Sequence, residues 1–237
     1  MKLSYYYMDE LIEFDLERRK RKSISIIIHP KKNIRVLAPK HLDKEEILKF
    51  VKSKSNWIKD KLDKIKEIRP YIKEKEFKDG EKFFYLGKRY ALKIIKDKNY
   101  IEPKVTLYRG NINIYTKSVA KSNIKKALID WYKIKAEEKI INSIKKYQKY
   151  IAIKPRYIKI KEQKRRWGSC SSNKDLFFNW KIIMAPSKII DYLVVHEMSH
   201  LIHMNHSKSF WNLVAKIIPD YKSKREYLKK EGFKYFV

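Results

Sequence analysis

The sequence predicts an α+β protein with a β-rich N-terminal part that also contains helix, followed by a C-terminal part that mixes strands and helices. Three observations lead to this class. Short β-branched runs separated by turn residues recur through the first 118 residues. Apolar residues repeat at helical spacing in residues 43–65 and 119–150. After residue 150, strand-like and helix-like segments alternate.

The N-terminal elements begin with a predicted hairpin. Residues 23–28 and 34–38 are apolar and β-branched, and they flank the turn signal at residues 30–33. Residues 11–16 predict a third strand. Asp43 followed by Glu46 has the spacing of a capping box, which predicts that one long helix starts there and runs to about Ile65.

Further strands are predicted at residues 83–86, 90–95, 105–108 and 112–115. The long helix predicted at residues 119–150 then serves as the divider of the chain. We therefore expect two domains: residues 1–118, a β-rich region with one long helix, and residues 119–237, opened by the divider helix.

The C-terminal part is predicted from strand and capping signals. Strands are expected at residues 157–161 and 176–184, and a helix is expected from Pro186 to about His203. Ser207 can cap the next helix and Asp220 the last one, which ends at Gly232.

Composition restricts the function classes. The 237 residues include 58 Lys and Arg against 27 Asp and Glu, a formal net charge of +31, but the lysines are spread along the chain instead of forming one block. This predicts weak electrostatic association with nucleic acid and does not establish a nucleic-acid function. The single cysteine, Cys170, excludes an internal disulfide and a Cys-rich zinc ribbon. With no signal peptide and no apolar run of about 20 residues, we expect a cytoplasmic protein without a membrane partner.

The strongest motif is His196-Glu197-Met198-Ser199-His200, an H-E-x-x-H sequence within a predicted helix. Residues four apart lie on one helix face, so the two imidazoles can converge on one metal ion. The carboxylate of Glu197 lies beside that face, where it can accept a proton from water. A catalytic zinc site needs about three protein ligands, so a third must be found.

Three residues are candidates for the third ligand. His203 would lie on nearly the same face of a straight helix as His196, whereas tetrahedral coordination requires a ligand from another direction. Glu226 is a carboxylate on a later helix, and nothing around it marks it out. His206 lies just past the expected helix end, where a reversal at Met204 and Asn205, with Asn in the left-handed conformation, would bring it back to the metal. We therefore predict His206.

The motifs of the C-terminal half together resemble those of the YgjP-like family of zinc-dependent metallopeptidases, which is related to the SprT and WLM types within the zincin-like group. The resemblance is clearest over residues 155–235, and the residues that carry it are Arg165 to Cys170, Phe178 to Lys181, Ala185-Pro186, Asp191-Tyr192, His196 to His200, Asn205 to Ser207, and Phe210-Trp211. It implies a zincin-like catalytic domain in which His196, His200 and His206 bind one Zn²⁺ and Glu197 is the general base.

The implied activity is hydrolysis of peptide bonds in a polypeptide substrate by Glu-assisted attack of zinc-bound water. Two other functions compete with it: a basic nucleic-acid-associated protein with a structural or vestigial zinc site, and a protease acting on DNA-bound proteins. The second is suggested by the related SprT-type proteases.

Residues around the predicted site have less specific signals. Asp191 is a candidate partner of a zinc ligand, or an exposed helix residue. Arg166 can pair with Asp191 or remain a surface charge, and Trp211 is expected to flank the site as a packing residue. In zincins a strand at the edge of the active site pairs with the substrate, which makes Asn179 and Trp180, in the segment 176–184, candidates for that edge. An ordinary half-buried strand is the alternative.

Overall fold

The computed structural model describes residues 1–28, 34–68, 75–163 and 166–235, with all their side chains except those of Lys64, Glu67 and Ile68. Its mixture of helices and small sheets confirms the predicted α+β class. The predicted turn at residues 30–33 and the motif residue Arg165 lie outside the described residues. The chain divides into two compact units, Met1–Lys73 and Glu74–Val237.

The first unit combines a four-stranded sheet with two helices. Its elements are β1 (Lys2–Tyr7), β2 (Glu10–Arg19), β3 (Ser25–Ile27), β4 (Ile34–Pro39), α1 (Lys44–Lys52) and α2 (Ser55–Ile68). The sheet order is β1-β2-β4-β3. β3 pairs antiparallel with β4, which confirms the pairing of the predicted hairpin. β2, the predicted third strand, pairs parallel with β4.

The predicted capping box is present at the start of α1. The backbone N–H of Glu46 donates to Asp43 Oδ1 at 2.7 Å, and the N–H of Asp43 donates to Glu46 Oε2 at 3.2 Å. The prediction of one long helix is wrong, because the helix is interrupted between α1 and α2. Trp57, predicted on the apolar stripe, is exposed, whereas Ile58 is fully buried.

The second unit contains the remaining strands and helices. They are β5 (Lys82–Tyr85), β6 (Lys88–Lys96), β7 (Lys104–Tyr108), β8 (Asn111–Thr116), α3 (Lys121–Tyr147), β9 (Tyr157–Lys161), β10 (Gly168–Cys170), β11 (Asp175–Asn179), α4 (Ser187–Ser199), α5 (Lys208–Ile217) and α6 (Tyr221–Glu231), with short 3₁₀ helices at Gln148–Tyr150, Trp180–Met184 and Gly232–Tyr235.

One sheet of this unit packs on α3. Its order is β5-β6-β8-β7, and its buried Phe83, Leu92 and Ile112 share a single apolar cluster with Leu128 and Tyr132 of α3. The division between compact units therefore falls at residues 73 and 74, and not at the expected boundary between residues 118 and 119. The physical reason is that the buried face of this sheet has its apolar partners on α3.

The other sheet lies next to α4 and has the order β10-β11-β9. β11 ends at Asn179, and the chain continues as a 3₁₀ helix instead of remaining extended to residue 184 as predicted. Nearly every side chain from Asp175 to Met184 is buried. The buried apolar residues of this segment share one cluster with those of α3 and α4.

The turn between β5 and β6 fixes the start of α4. The N–H of Leu86 donates to Ile183 O at 2.9 Å, and that of Gly87 donates to Met184 O at 3.0 Å. Gly87 has φ +83°, and a Cβ atom there would lie 2.8 Å from Pro186 Cγ. Only glycine satisfies both conditions, so this turn docks closely on the beginning of the helix. Among the described residues, no helix has the length and apolar character needed to cross a membrane.

Candidate metal centre

The described chain contains one group of three potential metal ligands, His196, His200 and His206. One nitrogen from each ring lies within 4.8 Å of the other two. His196 Nε2 and His206 Nε2 are 3.1 Å apart. The structure thus brings together the three histidines that the sequence predicts as ligands.

His206 reaches the other two rings because α4 ends early. The last residue of α4 is Ser199 and His200 is its C-cap, so the helix stops before His203, where the sequence predicted its end. The chain then reverses before α5, whose N-terminus is capped by Ser207. Asn205 does not have positive φ, so the predicted left-handed conformation is wrong and the reversal is spread over several residues.

The other two candidates for the third ligand have different roles. The backbone carbonyl of His203 lies 3.0 Å from His200 Nδ1, and its ring is outside the group of ligands. Glu226 is half exposed and lies 3.7 Å from both Lys229 and Lys230, its neighbours on α6. Neither side chain contributes to the cluster.

The hydrogen bond to His203 fixes the ring of His200. A carbonyl oxygen can only accept, so His200 Nδ1 carries the hydrogen and Nε2 keeps its lone pair. Such an outer contact orients a metal-binding imidazole and makes it more basic. His196 Nδ1, by contrast, is buried without a hydrogen-bond partner in the described part of the chain.

Burial favours the neutral form of the three imidazoles. It lowers the pKa of His196 to about 3, and the nearby rings of His200 and His206 add to this effect. The pKa values of His200 and His206 are also lowered, mainly by burial. Neutral imidazole is the form that binds metals, and three imidazoles are one ligand set of catalytic zinc sites. The residues present therefore fit a zinc ion.

Glu197 follows the first ligand on α4 and is only 5% exposed. Burial raises the pKa of its carboxyl to about 8, and the positive charge of Arg166 partly opposes this shift. A carboxyl group with a pKa near neutrality can both accept and release a proton. A candidate general base therefore directly follows the first candidate ligand, His196, on α4.

Aromatic residues of α5 pack around the histidines. Phe210 is fully buried, and its ring centre is 4.5 Å from that of His200. Trp211 stacks on His206 with 5.4 Å between ring centres, so the structure places it at the site where the sequence expected a flanking residue. The guanidinium of Arg225 lies 4.8 Å from the centre of the Trp211 ring, and its charge contributes to lowering the pKa of His206.

Asp191 faces α3 and not the metal ligands. Its carboxylate accepts a hydrogen bond from Ser143 Oγ at 2.8 Å, and it lies 3.4 Å from Nζ of both Lys139 and Lys146. The suggested pair between Arg166 and Asp191 is therefore wrong. Arg166 is exposed, and its described electrostatic partner is Glu197.

Asn179 and Trp180 do not offer a free strand edge, so this prediction is corrected. β11 is the central strand of its sheet and pairs with β10 on one side and β9 on the other. Asn179 Nδ2 donates to the carbonyls of Gln163 and Arg166, at 2.8 and 3.2 Å, and Trp180 is buried in the 3₁₀ helix. Both side chains therefore make contacts inside the fold.

Lys174 was not predicted from the sequence, and it supports the loop between α4 and α5. Its Nζ donates to Leu201 O at 2.6 Å. Lysine is abundant throughout the chain, so no pattern distinguishes this one. Lys174 lies in the turn from β10 to β11, where it has φ +64°. This turn brings its side chain to the end of α4.

Comparison with known proteins identifies a family and shows similarity to solved structures. A family model described as "YgjP-like, metallopeptidase domain" matches residues 22–231. The crystal structure of the metallopeptidase zymogen of Pyrococcus abyssi abylysin is similar to part of the chain, with 18% identity and a TM-score of 0.36, over 39% of this chain and 95% of that one. No curated protein matches the chain.

Proposed function

The chain belongs to the YgjP-like metallopeptidase family, and from this premise we propose that it is a zinc-dependent peptidase whose ion is held by His196, His200 and His206. A zinc ion bound there would supply Lewis acidity and lower the pKa of bound water. The observation that carries the proposal is the convergence of three imidazoles, one of which is followed directly in the chain by a buried carboxyl group.

Glu197 is the general base of the proposed reaction. It takes a proton from the attacking water and then delivers it to the leaving nitrogen of the peptide bond. Its enclosure between α4 and β10 keeps bulk water away from the carboxyl group, so the proton is exchanged with the reacting groups.

The substrate is an extended polypeptide that pairs with β10. β10 is the outer strand of the sheet β10-β11-β9 and, within the described residues, pairs only with β11. It also lies against α4. A strand edge beside the metal helix can position a peptide by backbone hydrogen bonds, without requiring a particular side chain.

The decisive experiment compares Glu197→Gln with the wild type on fluorescently labelled casein. We expect kcat to fall by about 10²–10⁴-fold, the usual contribution of a general base, while the zinc content is unchanged. Glu226→Gln, a change on exposed α6, is the matched control and should retain activity. Undiminished hydrolysis by Glu197→Gln would refute the assigned role.

The ligand assignment is tested separately by metal analysis. His206→Ala should lose most of its zinc, because two imidazoles remain, whereas Glu226→Ala should bind zinc like the wild type. Equal zinc content in the two variants would contradict the three-histidine site.

A further inference from the structure

Gly168 of strand β10 lies directly against the side chain of Glu197 on α4. An added Cβ atom there would lie 2.6 Å from Glu197 Oε1, 2.7 Å from its Cγ and 2.8 Å from its Cδ. Real Cβ atoms essentially never approach other atoms so closely. The side chain of Glu197 therefore occupies the position that the Cβ atom of any other residue at position 168 would need.

The two elements that carry these residues are both held in place. Gly168 pairs with Phe178 in the ladder between β10 and β11, and Phe178 is fully buried. On the other side, α4 is fixed by its buried residues, among them Val194 and Met198. An added methyl group would either strain the packing between β10 and α4 or displace the carboxyl group.

We propose that Gly168 is a positioning residue for catalysis, because its missing side chain forms the recess that holds the Glu197 carboxyl group in the site. This inference rests on the proposed role of Glu197 as general base. It also explains the presence of one of the five glycines of the chain at the first residue of β10.

The rest of the strand supports this arrangement. Side chains alternate along a strand, so Gly168 and Cys170 face the same side, whereas Ser169 faces the other. The charge of Glu197 contributes to raising the pKa of Cys170, which places Cys170 near the same carboxyl group. The face of β10 that carries Gly168 therefore lines the pocket of Glu197.

The test is a double-mutant cycle with Gly168→Ala, Glu197→Ala and the double variant. In EDTA-treated protein, Gly168→Ala should lower the unfolding midpoint by about 2–10 °C, the usual effect of overpacking in a protein of this size. In the Glu197→Ala background, where the three clashing atoms are absent, most of this loss should disappear.

Activity is the second measurement. With casein as substrate, Gly168→Ala should reduce kcat by about 10²-fold, the loss expected when a catalytic group is displaced by an ångström, at unchanged zinc content. The proposal is overturned if kcat stays within about two-fold of the wild-type value, or if the midpoint falls equally in both backgrounds.

Gly232 supplies the matched control. The three atoms nearest to a Cβ atom there would all belong to Trp167, with Cζ2 at 3.0 Å, and none to Glu197, so Gly232→Ala should shift the midpoint equally in both backgrounds. Because the unfolding cycle is measured without metal or substrate, it still reports on Gly168 if the wild type proves to hydrolyse nothing. Absence of hydrolysis in the wild type would refute the proposed function and not the packing relation.

Discussion

Two neighbouring residues on α4 respond to burial in opposite ways. Burial lowers the pKa of His196 to about 3 and raises that of Glu197 to about 8. In both cases the neutral form is favoured, because an ion loses its hydration when it is buried. Without metal, the site therefore holds an uncharged imidazole next to an uncharged carboxyl group near pH 7.

This arrangement makes the stability of the metal-free protein depend on pH. Between pH 4.5 and about 8 the Glu197 carboxyl is protonated in the folded chain and ionised in the unfolded chain, so unfolding releases a proton. Raising the pH through this window therefore reduces the free energy of unfolding. Relative to that of Glu197→Gln, the free energy of unfolding of the wild type should fall by up to about 1.4 kcal/mol for each pH unit.

The measurement is urea unfolding of EDTA-treated protein at several pH values. The two stability curves should be closest near pH 4.5 and diverge as the pH rises toward 8. Parallel curves would show that the carboxyl group is not held neutral by the fold.

At this scale the sequence predicted the three histidines that the structure brings together, because the spacing within a helix and the position of the next cap are local properties. It did not predict what surrounds them. Gly168, Lys174 and Arg225 lie near the site through contacts between distant segments. Asp191 was misjudged for the same reason, since its partners are on α3.

At the scale of elements, Asp191 connects α4 to the long helix α3. Its carboxylate accepts from Ser143 Oγ, and it lies 3.4 Å from both Tyr147 Oη and Lys146 Nζ. This group of polar contacts holds α4 against α3.

Asp191→Ala should lower the free energy of unfolding by about 1–3 kcal/mol, because it removes the shared acceptor of several partly buried donors. Zinc content should not change. Asp130→Ala is the control: Asp130 is half exposed on α3, its partners Lys126 and Lys133 are on the same helix, and its loss should cost less than about 1 kcal/mol. Zinc loss in Asp191→Ala without loss of stability would instead support direct orientation of a metal ligand.

The limits of the helices and strands show where local patterns stop being sufficient. The capping box at Asp43 predicted the start of α1, yet the apolar spacing that continues beyond it did not reveal the interruption before α2. In residues 176–184 the apolar run predicted one strand, because a buried 3₁₀ helix and a buried strand are equally apolar. In both cases tertiary packing decides where one element ends and the next begins.

At the scale of the molecule, the second unit is one compact body. Its apolar cluster includes residues from β5, β6 and β8 as well as from α3 and α4. Tyr132 Oη of α3 also donates to Phe84 O of β5 at 2.6 Å. The sheet at residues 82–116 is thus integral to the part of the chain that holds the ligands.

A truncation experiment follows from this organisation. The fragment 75–237 should fold cooperatively and bind zinc, whereas the fragment 119–237 should not, because it lacks the apolar partners of Leu128 and Tyr132. Circular dichroism with thermal unfolding, followed by zinc analysis, distinguishes the two. A cooperatively folded 119–237 fragment would support the domain boundary expected from the sequence.

The charge of +31 is a property of the entire chain. Weak association with nucleic acid therefore stays a prediction based on charge alone, and it should weaken steeply as salt is added. Binding with a defined site size that persists in salt would favour the nucleic-acid-associated alternative.

All three imidazoles come from residues 196–206, whereas the recess around the carboxyl group depends on a strand some thirty positions earlier in the chain. Ion capture and hydrolytic competence can therefore be lost independently. A homologue that keeps H-E-x-x-H and the later histidine, but has a larger residue in place of Gly168, should still bind its metal ion and should not hydrolyse peptides.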